Sequence, residues 1–215
     1  MFAGNFDLKG VRPVVDDTKP KVDIETYGCQ MNVNDSEVIL SLLQNDGFVL
    51  TQDITKADVI LANTCSIRDN AEQRIWGRID CFRLEKKARP GVIVGIVGCM
   101  AERLKDKLLD NKTVDIVAGP DSYRNLPEMI RNVRPYSPQV NVLLSHEETY
   151  ADITPVRMDR NGVAAYISIM RGCNNCCSYC IVPYTRGAER SRDAHSIVRE
   201  AQEVFAAGYK EVSLL

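Results

Sequence analysis

The sequence lacks the features that mark a membrane, secreted or strongly nucleic-acid-binding protein. No apolar run approaches the roughly 20 residues that a membrane-spanning helix needs. The N-terminus has no basic segment followed by an apolar one, so a secretion signal is not predicted. The formal net charge is only −2 over 215 residues, which excludes a basic surface covering the whole protein. Any contact with RNA must therefore use a local patch or a part outside this sequence.

Cysteine, in contrast, is plentiful: eight without a secretion signal favour metal ligation in a reducing compartment over disulfides. Cys173, Cys177 and Cys180 are spaced C-x3-C-x2-C, with Tyr179 directly before the last of them. Three thiolates on one short loop can hold three irons of a four-iron cluster and leave the fourth iron without a protein ligand. This spacing predicts chemistry at an open iron.

The segments around this loop predict the start of a βα barrel. Residues 164–170 are apolar and β-prone, Ser191 or Asp193 can cap a helix to about Ala207, and 211–215 form a second strand. In such barrels the catalytic loops follow the C-terminal ends of the strands, where the cysteine loop lies. One βαβ unit cannot close a barrel, so we infer that the sequence is a fragment of a longer protein.

The preceding region alternates strand and helix patterns, which predicts a Rossmann-like α/β domain with a mostly parallel sheet. The predicted strands are 22–27, 57–62, 92–97 and 114–118, and the predicted helices run from a cap at residues 34–36 to about 45, and over 68–87, 102–109 and 128–132. The predicted division is an extension (1–20), the α/β domain (21–146), a linker (147–163) and the start of the barrel (164–215).

Three more cysteines follow predicted strands of this domain. Cys29, Cys65 and Cys99 each lie just past a strand, at the edge where open parallel sheets gather ligand sites. Gly28 and Gly98 leave room for the backbone to approach a bulky group. A single cysteine there is more often a small buried apolar residue. Three in equivalent positions predict a second site with an open iron, whereas a cysteine inside the long helix, Cys81, is expected to be structural.

Four separated motifs, in order, carry a family resemblance. They are Thr-Tyr-Gly-Cys-Gln-Met-Asn (26–32), Asn-Thr-Cys-Ser-Ile-Arg (63–68), Val-Gly-Cys-Met-Ala (97–101) and the cysteine loop through Arg-Gly (172–187). Together they resemble the radical SAM methylthiotransferases, where SAM is S-adenosylmethionine, and more narrowly the MiaB-type tRNA branch. The strings Tyr-Gly-Cys-Gln-Met-Asn and Ile-Val-Pro-Tyr-Thr-Arg-Gly favour that branch. The resemblance covers about residues 21–215.

The resemblance implies two [4Fe-4S] clusters and SAM as cofactors. The radical SAM cluster would be held by Cys173, Cys177 and Cys180, and the auxiliary cluster by Cys29, Cys65 and Cys99. The implied substrate is tRNA with an isopentenylated adenosine next to the anticodon, and the product carries a methylthio group on C2. One SAM would methylate a sulfur of the auxiliary cluster, and a second would give the radical that removes hydrogen from C2. A flavodoxin or ferredoxin as electron donor, a cytoplasmic location, a monomer and no membrane partner are further expectations.

Candidate residues beyond the ligands come with alternatives. Tyr179 matches the aromatic position near the SAM adenine in the wider superfamily, or it packs under the loop. Gln30 and Asn32 flank an auxiliary ligand and are candidates for substrate binding. Three arginines follow the cysteine loop: Arg186, Arg190 and Arg192. They could bind RNA phosphates, or they could form a solvated face with Glu189 and Asp193. His146 and His195 pair with no cluster motif and are expected to be bystanders.

Other functions remain open at this stage. Cys176 departs from the family pattern and creates two overlapping C-x2-C pairs, Cys173 to Cys176 and Cys177 to Cys180, which would suit a structural zinc module. Against zinc, Cys176 and Cys177 are adjacent, and both would need a cramped turn to reach one ion. The sister branch, which modifies an aspartate of a ribosomal protein, and a thiol redox protein are the remaining alternatives.

Overall fold

A computed structural model describes residues 18–66, 69–135, 137–158 and 162–215, with residues 69–71 as backbone only. The predicted extension (1–20) lies almost entirely outside these ranges. The predicted start of the long helix at Arg68 also lies outside them.

The described chain begins with a six-stranded, fully parallel sheet in the order β2-β1-β3-β4-β5-β6. Its strands are β1 (Lys21–Thr26), β2 (Val49–Leu50), β3 (Val59–Thr64), β4 (Ile93–Gly98), β5 (Ile116–Ala118) and β6 (Gln139–Asn141). The predicted parallel α/β architecture is therefore confirmed. The sequence analysis missed β2 and β6, the two short edge strands.

Four α-helices connect the strands and cover both faces of the sheet. They are α1 (Gln30–Asn45), α2 (Asp69–Ala88), α3 (Cys99–Leu109) and α4 (Leu126–Asn132), with 3₁₀ turns at Ile54–Lys56 and Tyr123–Asn125. Successive residues of β3 point to opposite faces: Leu61 packs with α1 and α4, and Ile60 packs with α2 and α3. This burial on both faces explains why the strands read as continuous apolar runs.

Three helices start earlier than predicted: α4 begins at Leu126 rather than at residue 128, and the other two begin at a cysteine motif. α1 begins at Gln30 with Cys29 as its N-cap, not at residues 34–36, and α3 begins at Cys99, not at residue 102. The Cys29 N–H donates to Asn32 Oδ1 at 3.2 Å, which satisfies part of the α1 N-terminus. Cysteine is not among the usual N-cap residues, so the pattern gave no signal there.

The last part of the chain forms the predicted strand–helix–strand unit. It contains β7 (Ala164–Ile167), β8 (Met170–Arg171), α5 (Val182–Arg186), β9 (Arg190–Ser191), α6 (Ala194–Ala206) and β10 (Glu211–Leu214). β7 and β10 pair in parallel through the α6 crossover, and Asp193 caps α6 as predicted. The predicted strand 164–170 is split, because β8 turns away to pair antiparallel with β9. Val198 and Phe205 of α6 are exposed.

Residues of the predicted linker pack on the first domain. Tyr150 and Met158 are buried in the same cluster as Ile39 of α1. Across the described ranges, no helix is both long enough and apolar enough to cross a membrane.

Candidate metal centre and its charged surroundings

Three neighbouring strands bring Cys29, Cys65 and Cys99 (the strand-end cysteines) to one edge of the sheet. β3 lies between β1 and β4, and the registers Thr26↔Asn63 and Thr64↔Gly98 align the three strand ends. A Cβ added at Gly28 would lie 2.7 Å from the Cβ of Cys65, so the Cys29 turn and Cys65 are in contact. At Gly98 (φ +90°) an added Cβ would lie 2.6 Å from the Thr64 carbonyl oxygen. The two glycines therefore allow the close approach that gathers the cysteines.

Two buried asparagines fix the turns that carry these cysteines. Asn32 Nδ2 donates to Asn63 Oδ1 at 3.1 Å and to the Thr64 carbonyl at 3.2 Å, and Asn63 Nδ2 donates to the Asn32 carbonyl at 2.8 Å. Both asparagines are fully buried. Asn32 was predicted as a substrate-binding candidate, but its buried amide is taken up by these bonds, so its role here is structural. Gln30 is exposed beside Cys29 and stays a candidate.

The surroundings of Cys29 favour its thiolate form. A hydrogen bond with Cys65 lowers the pKa of Cys29 to about 5, against burial and with help from the backbone at Asn32 and Met31 and from the charge of Arg186. A thiolate is the form in which cysteine binds metal.

The other three predicted ligands lie on the cysteine loop (residues 172–180), between β8 and α5. Cys173 and Cys180 are partly buried, and Cys177 is exposed, as is Cys176. Local hydrogen bonds shape the loop: Cys173 N–H donates to the Gly187 carbonyl at 3.1 Å, and Cys180 N–H donates to the Cys177 carbonyl at 3.0 Å. The Tyr179 side chain is 90 % exposed, so it does not pack under the loop.

The donor chemistry of both cysteine sets fits iron–sulfur clusters. Within the described ranges, no group of three or more His, Cys, Asp or Glu side chains is arranged around a single metal ion. A four-iron cluster makes a different demand, because each cysteine binds a different iron. Three sulfur donors on adjacent strand ends, with glycines where the backbone must approach closely, meet that demand. A structural zinc ion would instead need four ligands around one point.

A buried group of charges joins the two cysteine sets; we call Asp35, Asp121, Arg171, Arg186 and Arg190 the charged network. Asp35 of α1 is fully buried and accepts from Arg171 Nη1 at 2.8 Å and from Arg186 Nη2 at 2.7 Å. Burial opposes ionisation of Asp35, but the two arginines hold its pKa below the usual value. Arg171 precedes the cysteine loop and Arg186 follows it, so Asp35 binds both ends of the segment that carries the loop.

Asp121 forms the second half of the charged network. Arg190 binds Asp121 through both Nη atoms, at 2.7 and 3.1 Å, and Arg171 Nε lies 3.6 Å from Asp121 Oδ1. The Arg171 guanidinium also lies 4.9 Å from the ring centre of Tyr150. Charged pairs as buried as these are costly to break from one side, since the remaining charge is left without a partner.

A second buried group ties α6 to α1. Arg157 donates to Glu37 at 2.8 Å and to Glu200 at 2.6 Å, and Arg192 donates to the other oxygen of Glu200 at 2.6 Å. Glu37 belongs to α1 and Glu200 to α6. The sheet domain and the βα unit are thus joined by two groups of buried ion pairs.

The three arginines predicted to face RNA have different surroundings in the structure. The side chains of Arg186, Arg190 and Arg192 are only 7, 4 and 5 % exposed and pair with buried carboxylates. They form neither a phosphate-binding surface nor a solvated face. The reason is that Asp35 and Asp121, which are distant in sequence, and Glu200 of the adjacent helix α6 converge on this segment in the fold.

Comparison with known proteins matches both halves of the chain. The model described as "Uncharacterized protein family UPF0004" matches residues 21–119, which include the strand-end cysteines, and the "Radical SAM superfamily" model matches residues 167–215, which include the cysteine loop. A protein named tRNA-2-methylthio-N(6)-dimethylallyladenosine synthase from Amoebophilus asiaticus is 56% identical over 193 residues, which are 89% of this chain and 40% of that protein. The chain belongs to the radical SAM methylthiotransferase family.

Further members of the methylthiotransferase family agree. Proteins of the same name from Christiangramia forsetii and Bacteroides thetaiotaomicron are 53% and 55% identical, over 91% and 93% of this chain and 41% and 44% of their own lengths. The chain thus spans about two fifths of the length of the curated relatives it matches.

Sequence reasoning missed Asp35, Asp121 and Arg171. Asp35 lies within the predicted helix cap at residues 34–36, and neither Asp121 nor Arg171 was assigned a role. One signal was present: an arginine at the end of an apolar strand needs a buried carboxylate partner. The sequence could not show which carboxylate that is.

Proposed function

We propose that the protein is a tRNA methylthiotransferase that adds a methylthio group to C2 of N6-isopentenyladenosine next to the anticodon. The observation that carries this proposal is the pairing of two cysteine triads, one at three strand ends and one on the loop, in a chain 53–56% identical to the three synthases of that name. A tRNA substrate also implies the cytoplasm as the location. A flavodoxin or ferredoxin as electron donor and a monomeric state belong to the same proposal.

The ligand assignment follows the two sites. Cys29, Cys65 and Cys99 would hold an auxiliary [4Fe-4S] cluster, and Cys173, Cys177 and Cys180 would hold the cluster that binds SAM. When bound, these groups would supply the chemistry that replaces the C2–H bond by C2–SCH₃. The methyl would come from one SAM, and the hydrogen would leave on the 5'-deoxyadenosyl part of a second SAM. The sulfur would come from the auxiliary site and the electrons from an external donor.

The residues of the chain would position these groups. The Asn32–Asn63 pair holds the strand-end turns, and the charged network holds both ends of the cysteine loop against the sheet domain. This arrangement supports transfer between two sites kept in one body, since small displacements of reacting groups are costly in rate. Tyr179 and Gln30 are exposed near their respective cysteines and are proposed contacts for SAM and substrate.

The competing functions have less support. The relatives reported above are named for tRNA modification rather than for a ribosomal-protein substrate. A thiol redox protein would work without iron, and a zinc module would need ligands around one ion.

Single cysteine changes in the full-length protein test the proposal. We expect Cys177→Ala to abolish SAM cleavage and Cys65→Ala to spare SAM cleavage but abolish methylthiolation, because each removes a ligand of a different cluster. The loss should exceed the roughly 10–100-fold cost of changes outside the ligand shell. Cleavage is measured as 5'-deoxyadenosine and methylthiolation as modified nucleoside in isopentenylated tRNA.

Cys81→Ala is the matched control, since Cys81 is an exposed thiol in α2 and should leave both activities intact. Full methylthiolation by Cys65→Ala would contradict the auxiliary assignment. Modification of a ribosomal protein with no tRNA product would contradict the proposed substrate.

A further inference from the structure

Arg186 has one buried nitrogen that no described protein group satisfies. It ends α5, and its side chain is only 7 % exposed. Nη2 is bound to Asp35, but Nη1 is buried with no hydrogen-bond partner. An unsatisfied buried donor is costly, and a charged one more so, which indicates an acceptor at this position in the working protein.

The other arginines of the charged network differ. Arg190 uses both Nη atoms on protein oxygens: Asp121, the Ser145 carbonyl and the Arg186 carbonyl. Arg171 likewise uses both Nη atoms, on Asp35 and on the Pro120 carbonyl. Each leaves only its Nε without a hydrogen bond. Arg186 is therefore the one member of this network whose terminal NH₂ group points to an additional acceptor.

The position of Arg186 identifies that acceptor. Its helix α5 packs against α3, whose first residue is Cys99, and its carboxylate partner Asp35 lies in α1, which Cys29 caps. The unsatisfied N–H group thus belongs to a cation close to two of the three strand-end cysteines.

We propose that Arg186 is a positioning residue for the auxiliary site, with Nη1 donating a hydrogen bond to a sulfur of the iron–sulfur cluster held by Cys29, Cys65 and Cys99. This inference rests on the auxiliary cluster of the proposed function. A hydrogen bond and a positive charge both favour the reduced, more negative cluster, because contacts to the sulfurs set cluster potentials. Arg186 follows the cysteine loop in the chain, so the radical SAM half supplies a contact that tunes the cluster of the other half.

The test uses the full-length protein with Cys173, Cys177 and Cys180 changed to Ala, so that only the auxiliary cluster remains. Its midpoint potential is measured by electron paramagnetic resonance during redox titration, with Arg186 unchanged and in Arg186→Gln and Arg186→Lys. We expect Arg186→Gln to disfavour reduction about tenfold, which is about 59 mV for one electron, and Arg186→Lys to cause a smaller shift in the same direction.

Arg190→Gln is the matched control, because it also removes a buried arginine of the same segment. Unlike Arg186, Arg190 has hydrogen-bond partners for both of its Nη atoms. An equal shift in Arg190→Gln and Arg186→Gln, or no shift in either Arg186 variant, would overturn the inference. If Arg186→Gln does not fold, the test uses Arg186→Lys and pulsed electron paramagnetic resonance on the protein with Arg186 unchanged and isotope-labelled arginine. We expect a magnetic coupling between the cluster and an arginine nitrogen. The absence of this coupling would contradict the contact. Failure of the starting protein to bind four irons would instead overturn the proposed function.

Discussion

The strand-end cysteines and the cysteine loop each offer three sulfur donors, but different contacts hold the two sets in place. Cys65 and Cys99 are buried, and their turns are held by sheet register, by the Asn32–Asn63 pair and by glycines in close contact. Cys177 is exposed on a segment shaped by a few local backbone bonds. The comparison teaches that one site is organised by the sheet itself, whereas the other depends on what holds the two ends of its loop.

The charged network holds the two ends of the cysteine loop. A change at Asp35 therefore tests whether the loop depends on this network. Asp35→Asn should have the largest effect, because it leaves Arg171 and Arg186 buried with no carboxylate between them. Breaking a buried ion pair from one side costs about 3–5 kcal/mol. We expect a loss of that size in the free energy of unfolding in urea, and loss of iron from both cysteine sets.

Asp152→Asn provides the control. Asp152 pairs with Arg124 at 2.5 Å, but its side chain is 70 % exposed, so the change should cost less than about 1 kcal/mol. Equal losses for the two variants would show that the buried network does not hold the loop.

Gly98→Ala sharpens the comparison by disturbing one site only. The residue has φ +90°, and the new Cβ would meet the Thr64 carbonyl at 2.6 Å, so we expect a cost of about 1–3 kcal/mol and loss of iron from the strand-end cysteines. Iron on the cysteine loop should remain.

Gly77→Ala in α2 is the control. A Cβ added at Gly77 would have no neighbour within 4 Å, so this change should stabilise the protein by up to about 1 kcal/mol. Iron analysis of both variants checks this, and equal iron loss from both sites would contradict it.

Asp23→Asn should have the smallest effect on the two sites, because Asp23 lies in β1 away from both. Burial, followed by the carboxylate of Glu25, raises the pKa of Asp23 to about 7. The folded state therefore disfavours the charged form of Asp23. The contribution of this carboxyl to the free energy of unfolding is fully present at low pH and is lost as pH rises through about 7. Relative to the unchanged protein, the Asn variant should gain stability at pH 8 and little below pH 4, measured by urea unfolding. A gain independent of pH would contradict the assignment.

The fold was largely predictable because its signals are local. Apolar runs bounded by Gly, Asn and Asp marked β1, β3, β4 and β5, and parallel order then placed three cysteines at one edge. The edge strands β2 and β6 have only two and three residues, too few for any periodicity to show. The starts of α1 and α3 were missed because cysteine and glycine occupy their caps.

The surroundings of the site were not predictable, because they depend on contacts between residues far apart in the chain. Asp35 and Arg186 are separated by 151 positions, and Asp121 and Arg190 by 69. A pattern can say that a buried arginine needs a carboxylate, but only the fold selects the partner. The same limit explains why Asn32 and the three arginines were read as substrate contacts.

The gap between the two family matches, residues 120–166, crosses the charged network. Asp35 lies in the first matched region, Asp121 in the gap, and Arg171, Arg186 and Arg190 in the second. A hybrid protein that joins the sheet domain of one relative to the barrel of another would therefore keep this network only if its two parents carry matching acids and arginines at these five positions. Each acid pairs with two arginines, and Arg171 pairs with both acids, so a change at Arg171 would disturb both halves of the network.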